Sequence, residues 1–350
     1  MSCRRSLLAL VVTWGVLGFG GPPSAQAGAA LQGAGATFPL PFYQTLIEAY
    51  AKRAGVTVDY RGVGSGEGIR QILERKVDFG ATDAFLTAAE AQKSPAPLVL
   101  VPTCLGAVVL THYLPGNPKL RLTPEVIADL FLGTIKRWSD PRIAQLNPDA
   151  RIPDLPVRVV RRQDGSGTTY IFTEYLSKTS SVWREKVGTG KAVAWPVGIG
   201  GEGNPGVAGL LTQVPGSIGY VELIYALGND LPVAVVRNRA GRFIEPTPES
   251  VSRAAQAPLP EDTNASLTDT PVPDAYPIGS FTWLAFYKEQ DYDGRARDRA
   301  EALLNFLWWV THDGQANARS LSYAPLPDGA VRKAETLLRS ATYRGQAILR

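Results

Sequence analysis

The sequence predicts an α/β fold, and three features of the chain lead there. Strand-like and helix-like segments alternate over most of its length. Several strand-like runs are continuously apolar, as strands covered on both faces are. Three helical patterns begin directly after glycine-rich loops. With 350 residues the chain can build two ordinary domains, and 45% hydrophobic against 19% charged content excludes a disordered protein.

Phe42 to Ala51 spaces its apolar residues as Phe42/Tyr43, Leu46/Ile47 and Ala49/Tyr50, which predicts an amphipathic helix. Val56–Tyr60 reads as a strand, Gly68–Glu74 as a helix through Ile69, Ile72 and Leu73, and Val77–Ala81 as a strand. Leu98–Val101 and Ala107–Thr111 predict two buried strands. Thr123-Pro124 opens a helix that stops at Gly133, with proline at the first helical position and glycine past the last. Val157–Val160, Ser217–Leu223 and Phe281–Tyr287 are further strands, and helices over Asp298–Val310 and Gly329–Arg339 close the chain. Residues 245–277, rich in proline and polar side chains, predict a long surface excursion.

The first residues stand apart. Arg4 and Arg5 precede an apolar run from Leu7 to Gly20, and Ala25-Gln26-Ala27 supplies a small-residue cleavage site. This is the pattern of a secretory signal peptide over residues 1–27, too short and wrongly flanked to anchor in a membrane. Arg4-Arg5 leaves open export by the general or the twin-arginine route. Cleavage removes two arginines and no acid, lowering the formal charge from +4 to +2. The remaining basic residues are scattered, which argues against a nucleic-acid partner. Cys3 leaves with the signal and precedes the apolar run, so no lipid anchor is expected. Cys104 then has no partner and reads as a small buried hydrophobe.

The chemistry-bearing residues cluster at helix starts. GAGATFPLPFY places Thr37 and Phe38 before a proline-opened helix, GVGSGEGIRQIL places Ser65 at a second start, and QDGSGTTYIFTEYL places Ser166, Gly167 and Thr168 at a third. A helix N-terminus carries unpaired N–H donors and positive partial charge, so three converging would surround an anion. Arg162 adds a forked charged donor. Taken singly, a serine or threonine here is an ordinary N-cap. Enzymatic motifs fail: Glu67 stands where a dinucleotide fingerprint needs glycine, GTGKA at 188–192 lacks the rest of a phosphate loop, and neither Ser65 nor Ser166 lies in Gly-x-Ser-x-Gly. His112 and His312 are the only histidines, leaving little for a catalytic triad or a zinc site.

Five blocks in order, GAGATFPLPFYQ, VDFGATDA, RRQDGSGTT, VGTGKAVAWPVGIGGEGNPGVAG and PGSIGYVE, resemble the periplasmic phosphate-binding proteins of bacterial ABC phosphate importers, from about Leu31 to about Leu326. The resemblance implies a two-lobed periplasmic-binding-protein fold, type II-like, with ligand held between lobes joined by a hinge. The lobes would be 28–103 with 279–350, and 104–278. It further implies phosphate ligands at Thr37, Phe38, Ser65, Asp83, Arg162, Ser166, Gly167 and Thr168, with Asp164 orienting Arg162. Glu67 departs from the family pattern and brings a negative charge close to the site. A monomeric, periplasmic receptor is implied, delivering phosphate to a membrane permease and ATPase complex, with no reaction catalysed and no metal or organic cofactor. A receptor for another oxyanion such as sulfate or molybdate, and a secreted phosphatase, are the alternatives. Asp83 weighs against sulfate: phosphate keeps a proton that a buried carboxylate can accept, whereas sulfate would set two acceptors face to face.

Overall fold

The computed structural model describes residues 30–349, so the expected signal segment and Cys3 lie outside the described residues. The α/β expectation holds. The main sheet contains β1 (Leu31–Gly35), β2 (Val58–Gly62), β3 (Phe79–Thr82), β4 (Leu98–Tyr113), β5 (Arg158–Arg162), β6 (Ile199–Gly201), β7 (Ser217–Glu222) and β8 (Gly279–Tyr287). Their spatial order is β2-β1-β3-β8-β4-β7-β5-β6. The first group pairs in parallel around β1 and the second in parallel around β5. Antiparallel pairing through β8 and β4 joins the two.

Helices follow the strands: α1 (Leu40–Ala54) after β1, α2 (Ser65–Leu73) after β2, α3 (Ala88–Gln92) after β3, α4 (Pro124–Phe131) after the antiparallel β4, α5 (Gly167–Thr179) after β5 and α6 (Gly203–Leu211) after β6. Four helix starts, those of α1, α2, α5 and α6, therefore lie at carboxyl ends of parallel strands, where open α/β sheets take their ligands. Further helices include α7 (Pro248–Ala254), α8 (Arg297–Thr311) and α9 (Asp328–Arg339).

Three differences from the sequence reading have physical causes. The two runs expected to be separate strands are one strand, β4. Pro102, which cannot donate to a ladder, is absorbed by a register shift against Thr282 and Trp283. The first part of β4 pairs with β8 as far as Ala107, and the part from Val108 onward pairs with β7. Helix α2 starts at Ser65, three residues before the expected Gly68. Its glycines, unfavourable in isolation, allow contacts that a side chain would block. Residues 245–277 are no mere surface excursion: Thr247 caps α7 in a reciprocal arrangement with Ser250, Val251 and Ala254 are buried, and Tyr276 donates to the Val108 carbonyl at 3.1 Å.

Aromatic packing braces the strand ends. Phe172 stacks on Tyr220 at 4.5 Å between ring centroids, with Phe131 against both. In the other half, Phe38 and Phe42 pack on Tyr323, whose hydroxyl donates to the Phe38 carbonyl at 2.6 Å. Cys104 is buried, as expected, and has no disulfide partner among the described residues. His312 closes α8: its Nδ1 lies 2.8 Å from the Trp308 carbonyl and its Nε2 is 3.0 Å from Glu335.

Candidate functional site

The α5 start is built by its own sequence. Ser166 accepts the Thr169 N–H through its side chain at 3.0 Å, and its carbonyl accepts the Tyr170 N–H at 3.1 Å. Helix geometry leaves the Gly167 and Thr168 N–H groups as end donors. The Ser166 N–H is taken by the Lys191 carbonyl at 2.9 Å. Lys191, in the segment dismissed as a phosphate loop, also reaches Glu90 at 2.7 Å, and Glu90 belongs to the capping box of α3. The second group of strands is thereby tied to the first beside the site.

Arg162 ends β5 with its side chain only 1% exposed. Its Nε donates to Asp164 Oδ1 at 2.7 Å, and Nη2 pairs with Oδ2 to complete a two-bond fork. Nη1 turns to Thr168 Oγ1 at 3.3 Å, while Asp164 also accepts the Gly203 N–H at 3.1 Å. Burial works to raise the Asp164 pKa, but the Arg162 fork and the Gly203 N–H outweigh it and hold the carboxyl below its usual range. Tyr220 supports the backbone, its hydroxyl accepting the Arg162 N–H at 3.2 Å and bonding Thr169 Oγ1 at 2.6 Å.

Against these residues stand the loops of the first group. Ser65 Oγ and Asp83 Oδ2 are 3.2 Å apart, and the Asp83 N–H donates to the same hydroxyl. Thr282, on β8, donates to Asp83 Oδ1 at 2.7 Å. Burial pushes the Asp83 carboxyl up to about 7, against the lowering influence of Thr282, Arg162 and Ser65. Gly64 precedes α2 at φ 89°, a left-handed angle that suits glycine. The Gly66 N–H then donates to the Gly165 carbonyl at 2.8 Å, so two site loops touch through backbone. Gly167 lies so close that a Cβ there would be 2.5 Å from both Asp83 Oδ2 and Ser65 Oγ.

Thr37 is buried and its hydroxyl faces Asn204 at the α6 start, accepting from Asn204 N and Nδ2 at 3.1 Å each. Its carbonyl accepts the Tyr225 hydroxyl at 2.6 Å. The Phe38 ring is buried against Gly106, which leaves only its backbone to face a guest. Glu67 turns along the outside of α2 and pairs with Arg70 and Gln71. The Arg70 bonds hold it below the usual carboxylate range. Direct bonds and close approaches thus bring Ser65, Asp83 and Gly167 together, and Arg162, Asp164, Thr168 and Thr37 together through Asn204.

Sequence reasoning missed Asn204, Thr282, Tyr225 and Lys191. Asn204 carried the same signal as the others, since GGEGNPGVAG is a glycine-rich loop running into a helix. Three glycines and a proline in that helix hid its periodicity.

A family model described as a PBP superfamily domain matches residues 20–313. The phosphate-binding protein PstS of Xylella fastidiosa strain Temecula1 is 40% identical over 323 residues, covering 90% of this chain and 86% of that protein. The chain belongs to the PstS family. PstS of Haemophilus influenzae is 39% identical, covering 90% and 94% of the respective chains. Among solved structures, the high-affinity periplasmic phosphate-binding protein PfluDING, bound with phosphate, superposes with a TM-score of 0.68. It shares 21% identity and covers 88% of this chain and 93% of that one. This likeness concerns the fold.

Proposed function

We propose that the protein is an exported, periplasmic receptor for inorganic phosphate that delivers its ligand to a membrane permease and ATPase complex, catalysing no reaction. One observation carries this reading: glycine-led helix starts and Arg162 converge on Asp83, a buried acceptor. Because Asp164 neutralises Arg162, the guest's charge is met chiefly by N–H and O–H groups. Several such bonds at roughly 1–3 kcal/mol each, less the cost of association, reach the ~8 kcal/mol of micromolar affinity. Thr37, Phe38, Ser65, Arg162, Ser166, Gly167 and Thr168 would donate. Asp83 would accept the P–OH hydrogen bond, and Asp164 would hold the guanidinium.

The lobes would be 28–103 with 279–350, and 104–278, with β4 running through both and the protein acting as a monomer. Closure would bring Thr37, Ser65 and Asp83 against Arg162 to Thr168 and exclude water. Support comes from the direct bonds between the two sets of loops: Gly66 to Gly165, Asn204 to Thr37 and Lys191 to Glu90.

Calorimetric titration of the mature chain with phosphate and then sulfate tests the reading. Tight phosphate uptake with little heat from sulfate is expected, whereas sulfate binding as tightly as phosphate would refute it. Closure has its own test. Gly167→Ala would place a methyl group against Asp83 and Ser65, and it should weaken phosphate binding by at least roughly tenfold, the equivalent of one lost hydrogen bond. Equal affinities for Gly167→Ala and wild type would remove the tight approach from the mechanism.

A further inference from the structure

Asn204 occupies the second position of α6, is fully buried, and uses both ends of its side-chain amide in hydrogen bonds. Its Oδ1 accepts the Glu222 N–H at 2.9 Å. Since that atom faces a donor it must be the oxygen, which fixes the amide orientation and points the NH2 group at the threonines. Nδ2 then donates one proton to Thr37 Oγ1 and one to Thr168 Oγ1, both at 3.1 Å.

A hydroxyl has two lone pairs and one proton. Thr37 Oγ1 receives Asn204 Nδ2 and also Asn204 N, at 3.1 Å each. Thr168 Oγ1 receives Asn204 Nδ2 and also Arg162 Nη1, at 3.1 and 3.3 Å. In both hydroxyls the lone pairs are occupied and only the proton is left to offer. Ser65 differs, since its hydroxyl accepts the Asp83 N–H and faces the Asp83 carboxyl.

We infer that Asn204 is a positioning residue that sets Thr37 and Thr168 as obligate donors, so that only unprotonated oxygens of the bound ion fit against them and its P–OH is directed to Asp83. The inference rests on the phosphate reading above and deepens it. It assigns proton order in the site to a side chain that need not touch the ion. Asn204 also links the two groups of strands, because Thr37 follows β1 and Thr168 follows β5.

The test is a titration of the full mature chain with inorganic phosphate in four variants: wild type, Asn204→Ala, Thr37→Val/Thr168→Val, and the triple substitution. Acting through the hydroxyls, Asn204→Ala should weaken binding about 30-fold in the wild-type background. It should weaken binding less than about threefold in the valine background, where no hydroxyl remains to orient. An equal loss in both backgrounds would mean a purely structural role and overturn the inference. Asn204→Asp serves where Asn204→Ala loses cooperative thermal unfolding or the valine background binds too weakly to titrate. It keeps the side-chain shape and the Glu222 bond but replaces two protons with lone pairs, drawing both hydroxyl protons inward. Phosphate affinity should then fall at least about 100-fold; wild-type affinity in Asn204→Asp would overturn the inference. A wild-type protein that takes up no phosphate refutes the functional reading itself, whereas binding by wild type and Asn204→Ala alike refutes this inference alone.

Discussion

If Arg162 donates to the ligand as proposed, replacing it by alanine is expected to weaken phosphate binding by at least about 100-fold, since charge-assisted bonds at roughly 1.5–3 kcal/mol each would disappear. The same change should also destabilise the ligand-free protein. Asp164 would remain largely buried, with side-chain exposure of 13%, having lost both bonds of its fork. Breaking one half of such a pair costs about 3–5 kcal/mol. The two effects are separable. In Arg162→Ala/Asp164→Ala the stranded charge is gone, so thermal stability should largely return while affinity stays low. Arg162→Lys keeps the charge but cannot form the fork, and should fall between. Calorimetry for affinity and thermal unfolding for stability make the comparison. An unaltered phosphate titration in Arg162→Ala would remove this residue from the site.

What could be read from the sequence was local. A glycine turn, a capping serine and the helix behind it lie within a few residues of one another, so the starts of α1, α2 and α5 were visible as one-dimensional patterns. Arg162 and Asp164 are two residues apart, which made their pairing legible as well. Partners distant in sequence were not. Thr282 meets Asp83 across 199 residues, and nothing about a threonine in an apolar strand announces that contact. Asn204 meets Thr37 across 167 residues and Thr168 across 36. The continuity of β4 was hidden for a related reason. Pro102 looks like a break until the facing strand is known to shift register beside it. In the segment 245–277, composition suggested solvent exposure, yet a capped turn of helix and the Tyr276 hydroxyl bring it onto the core. Composition reports average solvation, and here a few apolar anchors decided the outcome.

Asp83→Asn should show what the buried acid does for selectivity and what it costs in stability. On the proposed reading the wild-type carboxylate accepts a hydrogen bond from the guest's P–OH, and sulfate has no such proton to give. An unpaired buried charge costs several kcal/mol, on the order of a thousandfold in affinity. Asparagine can donate through its NH2 group, so the ratio of phosphate to sulfate affinity should fall by at least about 100-fold, mostly through better sulfate binding. The stability effect has a definite sign. Burial raises the folded-state pKa from 3.8 to about 7, so the folded protein holds more protons than the unfolded chain between those values. Stability from this group is therefore fully present below about pH 4 and is lost as pH rises to 7 and beyond, by an amount on the order of 4 kcal/mol. Ligand-free Asp83→Asn carries no such penalty. It should unfold several degrees higher than wild type at pH 8, and the gap should close as the pH approaches 4. The amide can still accept from Thr282 and donate to Ser65, which preserves the local packing. Thermal unfolding across pH, paired with phosphate and sulfate titrations, measures both consequences. If selectivity is untouched and the gap does not depend on pH, Asp83 neither senses the guest's proton nor carries a charge that folding must bury.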